Sequence, residues 1–213
     1  MNNPDFKVAP LFSTPIYQSS FKITQEDKNK LFDADYKRMQ ADNGYVTENM
    51  HILDLPEFQH IRNGIVKRLH DYMDFIIGID RFVEDPPLEF YMTNSWGVKH
   101  LPGDWGHKHS HQNALFSGII YLNVDDNSGD ITFYDKESAD RLFPHIFFIP
   151  MKEVNMLSAK DMRFKPVNDD IYFFPAHVDH SIGKHESTIT RYSLAFNFWM
   201  KGKLGQFAGE LTL

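Results

Sequence analysis

The stretch His107-Lys108-His109-Ser110-His111-Gln112-Asn113 sets three histidines at alternate positions. Side chains of an extended segment alternate between two faces, so residues two apart point the same way. A neutral imidazole is the commonest protein ligand for iron, zinc, copper and nickel, and two of them on one face supply half of a metal site. The remainder must come from elsewhere. Phe173-Phe174-Pro175-Ala176-His177-Val178-Asp179-His180-Ser181-Ile182 offers further imidazoles, and Arg191 and Ser193 stand eleven and thirteen residues beyond His180.

Outward from the histidines the chain reads as strands. From Leu88 the period is two, with Leu88, Phe90, Met92, Asn94, Trp96 and Val98 on one face, and a turn at Pro102-Gly103-Asp104 leads into the histidines. Further strands are expected at 114–124, 130–134, 145–151, 170–175 and 188–199, separated by Gly, Pro, Asn and Asp clusters. If Gly183-Lys184-His185-Glu186-Ser187 makes a turn, the flanking strands pair antiparallel and His180 lies opposite position 190 or its neighbour. In the second of these strands Arg191, Ser193 and Asn197 share one face, and Tyr192, Leu194, Phe196 and Phe198 the other. The segment from Asp135 to about Lys165 is the least patterned.

The amino-terminal third reads as support. Residues 10–23 alternate enough for a strand, and Thr24 caps a helix expected to run toward Met39, ended by Asp42-Asn43-Gly44. A second helix is signalled by Asp54-Leu55-Pro56-Glu57, with Phe58, Ile61, Ile65, Leu69, Met73 and Ile76 at helical spacing as a face packed on the sheet. Asp85-Pro86-Pro87 then punctuates. A single domain over 1–213 is expected, with 1–87 as helical support and 88–200 as the β core.

The constellation resembles the double-stranded β-helix oxygenases that use Fe(II) and 2-oxoglutarate. Their pattern is His-x-Asp, a long gap, a second His, and a basic residue on the following strand. A nearer likeness is the subgroup of 2-oxoglutarate/iron oxygenases of marine bacteria and their phages. The residues that carry it are Leu11-Phe12-Ser13-Thr14-Pro15, the His109-Ser110-His111 pair, Ser117-Gly118-Ile119-Ile120-Tyr121-Leu122, Ser128-Gly129-Asp130, His180-Ser181-Ile182 and Arg191-Tyr192-Ser193, in that order. The resemblance implies an α+β, mostly β fold: a distorted double-stranded β-helix of jelly-roll or cupin-like type with supporting amino-terminal helices. It implies His109, His111 and His180 as metal ligands, with His111 at the position usually acidic. Arg191, Ser193 and Tyr121 would hold the far carboxylate of 2-oxoglutarate. It implies Fe(II) as cofactor, 2-oxoglutarate as co-substrate, and a dioxygenase that hydroxylates a substrate C–H with release of succinate and CO2.

Blander readings stand beside these. His107 is read as exposed or adjacent to the ligands, His177 as a weaker candidate than His180, and His100, His145 and His185 as surface or loop residues. Gly118 and Gly129 are read as requirements of a bulge and a turn. The alternatives to an oxygenase are a cupin-like metalloprotein that never uses 2-oxoglutarate, and a jelly-roll binding or structural protein whose histidines hold a stabilising metal. Fold alone does not choose among them.

Composition excludes several classes. A formal charge of −7 without a basic stripe argues against bulk nucleic acid and anionic membranes as partners. With no cysteine, disulfide scaffolds, thiolate metal sites and cysteine nucleophiles are excluded. The 19 Phe and 9 Tyr suit strands that pack a sandwich or barrel. No signal peptide or apolar span is evident, so a cytoplasmic location is expected. The expected substrate is a small molecule or peptide: an amino acid, a metabolite, a protein side chain or a nucleotide derivative. A homo-oligomer is compatible with this reading.

Overall fold

The computed structural model describes residues 13–39, 43–134, 150, 152–153, 155, 158–205 and 207–213. Two sheets face one another. In chain order the strands and helices are β1 (Tyr17–Ser20), α1 (Gln25–Phe32), β2 (Tyr36–Arg38), β3 (Tyr45–Thr47), α2 (Gln59–Asp71), β4 (Glu89–His100), β5 (Gly106–His109), β6 (Phe116–Asn123), β7 (Ile131–Tyr134), β8 (Asp161–Phe164), β9 (Asp170–Pro175), β10 (Asp179–Ile182) and β11 (Arg191–Lys201). A seven-stranded sheet runs β1-β9-β6-β11-β4-β3-β2, and a four-stranded sheet runs β5-β10-β7-β8. With helices covering the outer face of the larger sheet, this is a mostly β, double-stranded β-helix.

Strand periodicity explains why the larger sheet has two apolar faces. Ile120, Leu122, Ile171, Phe173, Leu194, Phe196 and Phe198 point outward and are buried with Leu31 of α1 and with Ile61, Ile65 and Leu69 of α2. Their alternates Ile119, Tyr121, Tyr172 and Phe174 point inward against Ile131 and Phe133 of the small sheet. The helices cover one face and the small sheet the other, so near-continuous apolar runs replace simple alternation.

Several expectations are corrected. The first helix starts on its Thr24 cap, whose hydroxyl accepts from the Asp27 amide at 3.1 Å, but it ends at Phe32 rather than running toward Met39. Residues 36–38 instead pair with 45–47 as a hairpin on the edge of the large sheet, and Tyr36 Oη donates to the Leu31 carbonyl at 2.9 Å across the break. Besides the strand expected within 10–23, the region read as helical support thus contributes two further strands, β2 and β3. In the second helix the apolar stripe ends at Met73, because residues 72–77 wind into a wider π turn and Ile76 emerges into solvent. The face predicted for β4 breaks at Thr93. Met92 lies opposite Phe198 and Asn94 opposite Asn197, so Thr93 is an inserted bulge residue. Phe90 and Met92 therefore face the helices, whereas Trp96, Val98 and His100 face inward.

The predicted pairing of the strands around 183–187 does not form. β10 pairs with β5 and β7, and β11 pairs with β4 and β6, so residues 183–190 cross between sheets rather than closing a hairpin. The strand expected at 145–151 lies almost wholly outside the described residues, as does His145. Gly129 has φ +79° at a turn, as expected, but Gly118 serves no bulge. An added Cβ there would strike the Phe196 ring and the Tyr172 carbonyl, so the requirement is close packing. Among the described residues no helix is long and apolar enough to cross a membrane.

Candidate metal centre and anion pocket

His109 ends β5 and His180 sits within β10, directly opposite it in register. His111 lies two residues past the end of β5. Its amide donates to the Ala176 carbonyl at 2.9 Å, and the Ala176 amide donates to the Leu115 carbonyl at 2.9 Å, which ties the 110–115 loop to the turn before β10. One ring nitrogen from each of His109, His111 and His180 falls within 4.8 Å of the other two, a spacing that one ion could bridge. His107 is not part of this group, and His177 is exposed.

The protonation pattern suits ligation. His109 Nδ1 donates to the His107 carbonyl at 2.9 Å and His180 Nδ1 to the Val178 carbonyl at 3.1 Å, which leaves Nε2 as the lone pair each ring offers. Burial, aided by repulsion from His109, holds His180 down at about 3 and His111 at about 4, so both rings are neutral at pH 7. The half-buried Trp96 ring lies 6.0 Å from that of His111, and Phe174 packs 4.8 Å from His180.

The same cavity is lined by Arg191 and Ser193 at the inner face of β11 and by the apolar side chains of Val98, Ile119, Ile131, Phe174, Ile182 and Ala195. Arg191 is 1% exposed. Its Nη1 donates to His100 Nδ1 at 2.7 Å, while Nε and Nη2 find no hydrogen-bond partner. Tyr121, opposite Ser193 on β6, stacks its ring 5.3 Å from the guanidinium carbon; its hydroxyl lies close enough to favour the Arg191 charge but is too poorly aligned for a full hydrogen bond, and the Ser193 hydroxyl is likewise buried without a partner. Burial pulls the Arg191 pKa down, opposed by the neighbouring Tyr121, and burial pushes the Tyr121 hydroxyl up to about 12. Four donors buried without acceptors are what a carboxylate would satisfy, since native interiors rarely leave such groups unpaired.

Sequence reasoning missed two residues here. His100, read as a surface residue, is 2% exposed and holds Arg191. Tyr172 is buried beside Tyr121 with its hydroxyl unpartnered. His185, also read as surface, is buried, its Nε2 donating to the Ile189 carbonyl at 2.6 Å. The inward parity of β4 and β9 could have found His100 and Tyr172, but the bulge at Thr93 hides the first and a continuous apolar run the second.

Residues 94–197 match the family model described as "Putative 2OG-Fe(II) oxygenase". No curated protein sequence matches the chain. Among solved structures, a Pseudomonas putida prolyl-4-hydroxylase is similar at 11% identity and a TM-score of 0.56, covering 88% of this chain and 94% of that one. HygX from Streptomyces hygroscopicus, solved with nickel and 2-oxoglutarate, is similar at 10% identity and a TM-score of 0.56, covering 87% and 82%. A 2OG-Fe(II) oxygenase family oxidoreductase from Burkholderia pseudomallei is similar at 13% identity and a TM-score of 0.56, covering 81% and 75%. These likenesses establish a shared fold. The matched segment 94–197, which contains the three converging histidines, Tyr121, Arg191 and Ser193, is thus similar to the 2OG-Fe(II) oxygenase family over just under half of the chain.

Proposed function

We propose that the protein is an Fe(II)- and 2-oxoglutarate-dependent dioxygenase that hydroxylates a small molecule or a peptide side chain, with succinate and CO2 as co-products. The observation that carries this reading is one cavity holding three neutral imidazoles at ligand spacing and a buried arginine with its Nε–Nη2 edge unpartnered. His109, His111 and His180 would hold the metal, and Arg191, Ser193 and Tyr121 the distal carboxylate of 2-oxoglutarate. When bound, the iron and co-substrate together supply an oxidant able to attack an unactivated C–H bond.

The residues do the rest. Three neutral ligands leave the metal's positive charge uncancelled, which favours a dianionic co-substrate, and the Arg191 cation adds to that preference. The backbone acceptors at His107 and Val178 fix the tautomers and ring planes of His109 and His180 before any ion arrives. Val98, Ile119, Ile131 and Ile182 make part of the cavity wall apolar, which disfavours water there and strengthens the attraction of the polar groups for a ligand. The half-buried Trp96 and His111 mark the side from which a substrate would approach.

The test is direct. Protein stripped of metal and reloaded should bind one Fe(II) per chain and, in air, convert 2-oxoglutarate slowly to succinate without a second substrate. Tight zinc binding with no succinate above a metal-free control would instead favour a cupin-like or structural metal site.

A further inference from the structure

We infer that His100 is a positioning residue that aims Arg191, and that it thereby sets the preference for a 2-oxo acid bearing a second carboxylate. The inference rests on the proposed role of Arg191. His100 is the direct cross-strand partner of Arg191 between β4 and β11, and both side chains face the cavity. A guanidinium has only donors, so in the 2.7 Å contact His100 Nδ1 must accept from Nη1, and the ring is neutral with its proton on Nε2.

Two consequences follow from that choice of partner. With Nη1 engaged, the edge left to a ligand is Nε with Nη2, the pair that binds a carboxylate side-on with two parallel bonds. An aspartate or glutamate in place of His100 would hold the arginine equally well but would cancel its charge. A neutral acceptor orients the fork and leaves its full charge for the ligand. The ring is in turn confined by the backbone at Gly44, where an added Cβ would come within 2.6 Å of His100 Cδ2 and 2.8 Å of Nε2. The acceptor therefore has little room to swing away from the guanidinium.

The experiment compares the affinity of the anaerobic Fe(II)-loaded protein for 2-oxoglutarate and for 2-oxopentanoate, which keeps the 2-oxo acid end and the five-carbon chain but lacks the distal carboxylate. Parent, His100→Leu, His100→Asn and Gly44→Ala are measured. The parent prefers 2-oxoglutarate. In His100→Leu that preference falls about tenfold, as expected for one lost orienting hydrogen bond to a charged group, while affinity for 2-oxopentanoate stays within about twofold. His100→Asn, whose Oδ1 can accept in place of Nδ1, recovers most of the preference, and Gly44→Ala, which presses on the ring, loses part of it. A full preference in His100→Leu overturns the inference, as does an equal loss of affinity for both acids that His100→Asn does not rescue. Should His100→Leu not fold, a full preference in Gly44→Ala together with none in His100→Asn overturns it likewise. A parent that does not prefer 2-oxoglutarate would refute the role of Arg191 itself, an outcome distinct from a preference that survives loss of His100.

Discussion

Arg191→Met should cost the protein its co-substrate but not its fold. Methionine keeps much of the side chain's length and removes the charge. Arg191 is almost fully buried, and its one hydrogen bond to a described residue with good geometry is to a neutral ring, while Nε and Nη2 are left without acceptors. Each buried unsatisfied donor costs about 1–3 kcal/mol, and replacing a buried charge by an apolar group of similar volume is often neutral or stabilising by about 1–4 kcal/mol. Against this, the variant strands His100 Nδ1 without its donor, a loss of about 1–3 kcal/mol. The balance lies between about 2 kcal/mol less and about 3 kcal/mol more stable for the metal-free variant, and for a chain of 213 residues 1 kcal/mol moves the midpoint by about 2–4 °C. Thermal unfolding of metal-free protein should therefore drop by no more than about 5 °C and gain up to about 10 °C. With Fe(II) present and 2-oxoglutarate at a hundred times the parent Kd, the parent gains about 2.7 kcal/mol. Half or more of that gain should vanish in the variant, because the lost charge-assisted pair is worth about 1.5–3 kcal/mol, or tenfold to a hundredfold in affinity. A metal-free midpoint lower by about 10 °C, the signature of breaking a structural ion pair at about 3–5 kcal/mol, would refute this reasoning.

Iron occupancy at limiting metal should be lost in His109→Ala and in His180→Ala, strongly reduced in His111→Ala, better kept in His111→Asp, and unchanged in His107→Ala; an empty site in the last would mean the ligand set is misassigned. In the metal-free protein His111 and His180 stay neutral down to about 4 and about 3, whereas in the unfolded chain they protonate near 6.5. The unfolded state thus binds more protons in that window, so stability is full above pH 6.5 and falls as pH drops toward 4; a denaturant midpoint as high at pH 5 as at pH 7.5 would contradict this. Gly129→Ala should lower the melting temperature by about 10 °C or abolish folding, since it combines a φ of +79° with a clash against the Gly183 carbonyl; a midpoint within about 2 °C of the parent would show that the turn can yield.

The longest strands were legible because period two is visible wherever both neighbours are long. Residues 116–123, 170–175 and 191–201 declare themselves by their apolar runs, and the face shared by Arg191, Ser193 and Asn197 follows from parity. β8 was not expected as a strand because it has four residues, several of them polar, and gains its strand character from β7, a partner about thirty residues away in sequence. The pairing of His180 was misread for a related reason. A Gly-containing segment of suitable length looks like a hairpin, but here the two apolar layers are better closed by sending 183–190 across from one sheet to the other. The convergence of His109, His111 and His180 was expected from the resemblance. The contact of Arg191 with His100, 91 residues away, was not, because a single bulge at Thr93 reverses which side chains of β4 face inward.

The most direct measurement of the central claim is an anaerobic titration of Fe(II)-loaded protein with 2-oxoglutarate, followed by the weak visible charge-transfer band that a metal-chelated 2-oxo acid produces. The account predicts a band that saturates at one equivalent per chain, is absent in His180→Ala, and needs at least tenfold more 2-oxoglutarate in Arg191→Met. No band in the iron-loaded parent, or one that saturates at the same concentration with and without Arg191, would contradict it.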